Sequence, residues 1–392
     1  MSERSRRHFL QSIGATGVAV GLHQAHLLQY QRVLAQPAPR KLAMVIGIND
    51  YTDAPLYGCV NDAILQRQLL IHRFGFNPRD VVMLLNQKAT RRGILDAIEE
   101  HLIKQARSGD VVVIHFSGHG SLVADPDPIY THPDTGEGLA GTLVPIDGTL
   151  PTEEKKSGVV ADILGHTLFL LMSAIQTENL TVVLDSCHSG ASTRDRRVRA
   201  REGGKAIAIS PQEKAYQEQW LDRLGWSPKE FVRRYRQGIA KGVVLAATQV
   251  DQLAVDEQFN GFEAGAFSYR LMQYLWQQNS TPDRTISEIQ RQIPKDHFQK
   301  PKLEVAPGST NGQRPVYFVD NPKATGQAVV IDQKGDRAKV LLVGIDPGTV
   351  EAGTVFVTGD RRNSVEVVER DGLVAMAKIK GAVEVGTVLQ AK

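Results

Sequence analysis

One stretch decides the fold of this chain: Thr181-Val182-Val183-Leu184-Asp185-Ser186-Cys187-His188-Ser189-Gly190. Its first four residues are β-branched or aliphatic, which predicts a buried strand that ends in an Asp, a Ser and a Cys. A second apolar run, 111–116, leads into Ser117-Gly118-His119-Gly120. Reactive groups of open parallel sheets gather at the carboxyl ends of the strands. The two runs therefore predict one sheet that presents a Cys and a His on the same edge.

The predicted pairing of Cys187 with His119 indicates nucleophilic chemistry. A lone Cys at the end of a strand is usually a small core residue. A thiol beside an imidazole, however, can become a thiolate, and the imidazole can protonate a leaving amine. We therefore predict Cys187 as the nucleophile and His119 as the acid–base residue. The backbone amides of Gly120 and Cys187 are predicted to stabilise the oxyanion of a tetrahedral intermediate.

Two other histidines lie close to these residues in the sequence. His188 is a competing base, but adjacent residues on an extended chain point to opposite sides, which favours His119. His115 precedes His119 by four residues in the same apolar run. We predict a structural role for His115.

The two strand-end motifs resemble the metacaspase branch of the caspase-type cysteine peptidases. Three further segments are similar to the first helix and to the small-subunit strand and helix of that family: Tyr57-Gly58-Cys59-Val60-Asn61-Asp62-Ala63, 243–248 and 265–269. The resemblance runs from about Lys41 to Val319. Because large-subunit and small-subunit parts share one chain, the chain resembles the group called orthocaspases. It implies a cysteine endopeptidase.

The resemblance also implies a pocket for the side chain of the residue at which a substrate is cleaved. Metacaspases line this pocket with residues that here correspond to Cys59, Asp62, Ser117 and Asp185. Two carboxylates would bind a guanidinium or an ammonium and repel an acidic side chain. We therefore expect cleavage after Arg or Lys. The alternative for Asp62 is a helix N-terminal carboxylate that interacts with the helix dipole.

No cofactor is predicted. Many metacaspases bind calcium through paired acidic residues before the Cys strand and another acid after it. Here the corresponding segments offer Asp162 and, among arginines, Asp195. Because a hard cation needs several oxygen ligands, this pattern does not favour calcium activation.

The length, the charge and the N-terminus limit the classes to which the protein can belong. A chain of 392 residues is too long for one ordinary core, and its net charge of +3 argues against a nucleic-acid-binding protein. Two cysteines provide no disulfide framework. Arg6 and Arg7 precede a short apolar stretch and a small-residue cleavage site, which predicts a twin-arginine signal and an extracytoplasmic, periplasmic location. The apolar stretch is too short for a transmembrane span.

The order of predicted elements defines the domains. Strands alternate with helices from Lys41 onward, which predicts a caspase-like, doubly wound, mostly parallel six-stranded sheet with helices on both faces. Within it, we predict a loop over 121–156 and a final short strand at 315–319. Short strands with Gly- and Asp-bearing turns then predict a small C-terminal all-β barrel or sandwich. The predicted ranges are a signal at 1–35, a linker at 36–40, a peptidase domain at 41–320 and the β module at 325–392. The peptidase domain is divided into a large-subunit part at about 41–190, an insert of basic linker and helices at 191–241, and a small-subunit part at 242–320.

The insert begins with a basic stretch that lacks an apolar period. We predict an exposed loop here, and exposed aperiodic loops are where proteolytic nicking concentrates. Since the acidic pocket should prefer basic residues, the enzyme is predicted to cut itself in this loop, and the cut would activate it if the uncut loop occupies or distorts the cleft. The alternative is a solvated basic loop with no processing role. The candidate positions are Arg194, Arg196, Arg197, Arg199, Arg201 and Lys205.

Two alternatives remain open at this point. One is a catalytically degenerate caspase-like protein that displays the C-terminal β module to a protein partner; an intact His119 and Cys187 weigh against it. The other is a thiol hydrolase or transferase that acts on another substrate class. The acidic pocket makes peptides or proteins with Arg or Lys at the cleaved position the expected substrates.

Overall fold

The structure is a computed structural model that describes residues 39–125, 128–130, 138–148, 158–187, 197–201, 203–249 and 252–392. The predicted signal lies outside these residues, so export of the chain stays a prediction. Among the described residues, no helix is long and apolar enough to cross a membrane.

Strands and helices alternate along the peptidase part. In chain order the strands are β1 (Lys41–Gly47), β2 (Val81–Leu85), β3 (Val111–Ser117), β4 (Gly120–Ala124), β5 (Leu139–Leu143), β6 (Gly158–Val160), β7 (Ile163–Leu164), β8 (Asn179–Asp185), β9 (Gly204–Ile209), β10 (Val243–Ala246), β11 (Asp256–Phe259), β12 (Phe262–Gly265) and β13 (Lys302–Val305). The helices are α1 (Cys59–Gln68), α2 (Arg91–Ala97), α3 (Gly165–Ala174), α4 (Pro211–Leu224), α5 (Pro228–Tyr235), α6 (Ala266–Gln277) and α7 (Pro282–Gln292). Single turns of π-helix, Leu69–Arg73 and Ile98–Ile103, extend α1 and α2.

Six of these strands form the central sheet, in the order β13-β10-β8-β3-β1-β2. All neighbours are parallel except β13, which runs antiparallel to β10 at one edge. Every residue of β3 is buried, as expected for a central strand covered on both faces. The predicted fold class is confirmed.

Alternation along the strands builds a separate apolar core on each face of the sheet. Val113 and Val183 pack on one face with α1, α6 and α7, whereas Val112 and Val182 pack on the other with α2, α3, α4 and α5. The predicted insert helices are α4 and α5, and Trp220 and Phe231 bury their aromatic rings in that second core.

Two predicted elements need correction. The loop predicted over 121–156 contains β4 and β5, which join β6, β7 and β9 in a second, five-stranded sheet. The strand predicted at 315–319 is a turn of 3₁₀-helix, Val316–Phe318. Tyr317 and Phe318 have φ angles of 54° and 53°, so the chain there is left-handed and not extended. The sixth strand of the central sheet is β13 instead.

The C-terminal part forms a closed barrel, as one of the two predicted forms of this module. Its strands are β14 (Ala328–Lys334), β15 (Arg337–Leu342), β16 (Val355–Thr358), β17 (Ser364–Asp371), β18 (Val374–Lys380) and β19 (Val388–Ala391). They close in the order β14-β15-β18-β17-β16-β19 around an apolar interior that includes Val340, Phe356 and Leu389. Arg370 of the barrel donates to the carbonyl of Asn260, at 3.0 Å, in the turn between β11 and β12. The barrel therefore supports the hairpin that, as described below, contributes to the site.

Candidate active site

The pairing of β3 with β8 brings the predicted site residues to one edge of the sheet. The two strands are parallel neighbours, with Ser117 opposite Asp185. His119 and Cys187 each follow two residues later in the chain, so both lie beyond the carboxyl ends of adjacent strands. The Cys and the His therefore share an edge, as the two motifs predict.

Cys187 is buried in this arrangement. The amide of Ala254 donates a hydrogen bond to its Sγ atom at 2.7 Å. Burial raises the pKa of the Cys187 thiol to about 12, and the hydrogen bond from Ala254 opposes that rise. At neutral pH the buried sulfur is therefore a thiol, beside a donor that favours the thiolate.

His119 is held through both its ring and its backbone. Its Nε2 atom lies 2.7 Å from the carbonyl oxygen of Ala54. Because a carbonyl can only accept, Nε2 carries the proton and Nδ1 keeps a lone pair. Tyr51 packs its ring 4.5 Å from the imidazole and accepts the His119 amide at 3.0 Å. Burial lowers the pKa of His119 to about 4, so the ring is neutral at physiological pH.

A segment of the chain's own linker, residues 197–201, lies across this edge, with isolated β-bridges at Val198 and Ala200 and a bend at Arg199. The Arg199 amide donates to the carbonyl of Ala254 at 2.9 Å, and the Asp256 amide donates to the carbonyl of Arg197 at 3.0 Å. Beyond Arg199, the Arg201 amide donates to the carbonyl of Gly120 at 2.9 Å. We call 197–201 the linker segment.

The carbonyl oxygen of Arg199 accepts two backbone hydrogen bonds. The donors are the amides of Gly120, at 3.0 Å, and Cys187, at 3.1 Å. A Cβ at position 120 would overlap the carbonyl oxygen of Cys187, so this close approach requires glycine. Two amides that converge on one carbonyl oxygen can stabilise the negative charge that develops there when a nucleophile attacks the carbon.

The guanidinium of Arg199 is enclosed by what we call the arginine pocket, formed by Asp62, Ser117, Asp185 and Asp256. Its Nη2 atom lies 2.7 Å from a carboxylate oxygen of Asp62 and 2.9 Å from one of Asp256. Its Nη1 atom lies 3.1 Å from Asp185 and donates to the Ser117 hydroxyl at 2.6 Å. Burial by itself lowers the pKa of Arg199, but the carboxylates outweigh burial and raise it well above its usual value.

Each carboxylate of the pocket is held in place by backbone amides. Asp62 accepts from the amide of Gly265 at 3.0 Å, Asp185 from that of Ser268 at 3.0 Å, and Asp256 from that of Tyr57 at 2.8 Å. Burial raises the pKa of Asp62 and of Asp185, and the Arg199 guanidinium opposes this rise in both. The pocket is therefore pre-oriented for a cation.

Three of the four predicted pocket residues contact the guanidinium directly, and the fourth lies next to them. Cys59 is fully buried, and the pKa of its thiol, raised by burial, is lowered in part by Arg199 and Ser117. Asp256 was missed by the sequence analysis. It lies on the β11–β12 hairpin, outside every motif. The adjacent acids Asp256 and Glu257 were the feature of the sequence that could have indicated it.

The prediction of an exposed basic loop is wrong for its described residues. Arg199 and Arg201 are buried because carboxylates of the fold neutralise both. Arg197 is the exception, with 42% of its side chain exposed and its guanidinium 4.0 Å from the ring of Tyr57. Lys205 lies in β9. The candidates Arg194 and Arg196, together with His188 and Asp195, lie outside the described residues.

No group of three or more Asp, Glu, His or Cys side chains that could hold a metal ion is found in the described part of the chain. Asp162, which the sequence analysis considered for calcium, pairs with Arg201 at 2.6 Å. The expectation that calcium is not required stays a prediction.

Comparison with known proteins identifies the family. Residues 40–323 match the family model for the caspase domain. The chain is 29% identical over 308 residues to Metacaspase-1 of Candida albicans, covering 70% of this chain and 67% of that protein. It is 28% identical over 225 residues to Metacaspase-4 of Arabidopsis thaliana, covering 55% of this chain and 49% of that protein. The chain thus spans about two thirds of the first relative's length and half of the second's.

A solved structure supports the fold. Protein GSU0716 from Geobacter sulfurreducens is similar over 72% of this chain and 100% of that chain, with a TM-score of 0.50 and 22% sequence identity. The family model, which covers most of the chain, carries the assignment. The chain belongs to the caspase-domain family of cysteine-type endopeptidases, among its metacaspase-like members.

Proposed function

We propose that this chain cleaves peptide bonds after Arg or Lys with a His119–Cys187 dyad, and that the Arg199–Ala200 bond of its own linker is its first substrate. One observation carries the proposal. The carbonyl oxygen of Arg199 lies between the amides of Gly120 and Cys187 while the guanidinium of the same residue fills the arginine pocket. A residue whose carbonyl oxygen and side chain are both bound in this way is positioned as a substrate residue at the cleaved bond.

The chemistry follows from the protonation states of the two side chains. The neutral imidazole of His119 takes the proton of the Cys187 thiol as Sγ attacks the carbonyl carbon. The amides of Gly120 and Cys187 stabilise the resulting oxyanion. Collapse of the tetrahedral intermediate breaks the C–N bond, and His119 gives its proton to the leaving amine. Water then hydrolyses the thioester and restores the thiol.

The fragments of a cut after Arg199 would stay together. Residues before the cut include β8, and residues after it include β10, which pairs with β8 through the register Val243↔Thr181 to Ala246↔Leu184. The uncut linker segment fills the pocket and the edge of the sheet that a second substrate would need. Cleavage followed by displacement of the segment would open the site, which is the behaviour of a zymogen.

A panel of fluorogenic peptides that differ only in the cleaved residue tests the proposal. We expect the processed enzyme to hydrolyse the Arg and Lys peptides and to leave the Asp peptide intact, because three carboxylates line the pocket. Arg should be preferred over Lys, since its planar fork matches several carboxylate oxygens at once. The readout is kcat/KM for Arg, Lys, Ala and Asp peptides. Efficient hydrolysis of the Asp peptide would refute the assigned specificity.

Replacing Asp256 by Asn tests the pocket residue that the sequence did not reveal. The change keeps the size of the side chain and removes one of three charges around the guanidinium. We expect kcat/KM for an Arg peptide to fall by about tenfold to a hundredfold, as for the loss of a hydrogen bond to a charged group. Glu263→Gln, on the same hairpin, is the matched control. An equal effect of both substitutions would assign the loss to the hairpin's net charge and not to the pocket.

A further inference from the structure

Arg201, the second residue after the proposed cleaved bond, is buried, with 6% of its surface exposed against none for Arg199. Its Nη1 and Nη2 atoms contact the two carboxylate oxygens of Asp162 at 2.7 and 2.6 Å, a bidentate pair. Nη1 also donates to the carbonyl of Gly148 at 2.7 Å. Bidentate contact with a carboxylate combines charge with a planar geometry that Arg matches well.

Backbone hydrogen bonds fix the position of Arg201 relative to the proposed cleaved bond. The amide of Gly120 binds the carbonyl of Arg199, and the carbonyl of Gly120 accepts the amide of Arg201 at 2.9 Å. One residue of the enzyme thus holds the backbone on both sides of the Arg199–Ala200 bond. The side chain at the second position after the bond is thereby directed to one place.

Asp162 is part of the fold and not of the linker. It lies between β6 and β7, has no exposed surface, and accepts a hydrogen bond from the Thr142 hydroxyl of β5 at 2.6 Å. A buried carboxylate that lost its guanidinium would be costly to keep charged. Burial raises the pKa of Asp162, and Arg201 opposes the rise. Once Arg201 has left, a substrate cation would stabilise the Asp162 carboxylate in the same way.

We propose that Asp162 and the Gly148 carbonyl form a second specificity pocket, which selects substrates with Arg or Lys two residues after the cleaved bond. In the uncut chain Arg201 occupies this pocket. A substrate segment of the form Arg-Ala-Arg, cut after its first residue, would fill both pockets at once. This inference rests on the proposed function, since it uses the same cleaved bond.

Two kinds of substrate separate the inference from the proposed function. Quenched fluorescent peptides carry Arg at the cleaved position, Ala next, and then Arg, Lys, Gln or Glu. A short coumarin peptide with Arg at the cleaved position has no residue after the bond. Both are used with the full chain and with its Arg201→Ala, Asp162→Asn and Asp96→Asn variants, the last removing an exposed carboxylate on α2 as the control for charge.

We expect Arg201→Ala to cleave the peptide with Arg at the second position about tenfold or more faster, in kcat/KM, than the peptide with Glu. In Asp162→Asn that ratio should fall towards one, and in Asp96→Asn it should stay as in the unaltered chain. If Arg201→Ala or Asp162→Asn is inactive on the coumarin peptide, the test uses the unaltered processed chain. Its kcat/KM for the Arg peptide should then exceed that for the Glu peptide by about tenfold or more. Equal constants for the Arg and Glu peptides in every active form would overturn the inference. Failure of the unaltered chain to hydrolyse the coumarin peptide would instead refute the proposed function, and the inference with it.

Discussion

Cys187→Ala and His119→Ala are each expected to abolish peptidase activity, with kcat/KM for an Arg peptide reduced at least about a thousandfold. Without Sγ no thioester can form. Without the imidazole, a thiol whose pKa is raised to about 12 has no neutral base beside it to take its proton. Because the two groups act in one step, the double variant should lose little more activity than either single variant.

The control for the His119 variant is His72→Ala, which removes a half-buried imidazole from the far end of the first helix. It should keep full activity, and circular dichroism should show that all variants retain their secondary structure. Hydrolysis by His119→Ala at the rate of the unaltered chain would remove His119 from the mechanism. It would leave His188, which lies outside the described residues, as the remaining predicted base.

Part of this site could be predicted because it is encoded locally. The runs ending at Ser117 and Asp185 are continuous and mostly apolar, and parallel pairing brings the residues two positions beyond each run to the same edge of the sheet. The same regularity predicts the central sheet. No long-range information is needed beyond the assumption that the two strands are neighbours.

The sequence offers Arg199 as one of six candidate cut positions, but its burial in the pocket could not be predicted in this way. Arginines are mostly exposed, and a run of them without apolar periodicity indicates a solvated loop. Arg199 is buried because Asp62, Asp185 and Asp256 meet around it, although they come from three widely separated parts of the chain. The charge balance is a property of the fold and is invisible in the local pattern.

Arg199→Ala is expected to abolish cleavage of the linker after residue 199. The change removes the guanidinium that pairs with all three buried carboxylates of the arginine pocket. Breaking a buried ion pair by deleting one partner costs about 3–5 kcal/mol, which corresponds to a rate reduction of more than about a hundredfold if the contact is kept in the transition state. Arg199→Lys should still be cut, but more slowly, because a single ammonium cannot contact all three carboxylates as a fork.

Arg197→Ala is the matched control. It removes the same type of side chain two residues earlier, where 42% of that side chain is exposed and its guanidinium approaches one pocket carboxylate, Asp256, at 4.0 Å. Intact mass measured over time after purification gives the cut position and its rate for each variant. The unaltered chain and Arg197→Ala should yield a fragment ending at Arg199, whereas Cys187→Ala should stay whole. Cuts in Cys187→Ala would indicate a contaminating protease, and an Arg199→Ala chain that is still cut after residue 199 at the unaltered rate would show that the arginine pocket does not select the bond.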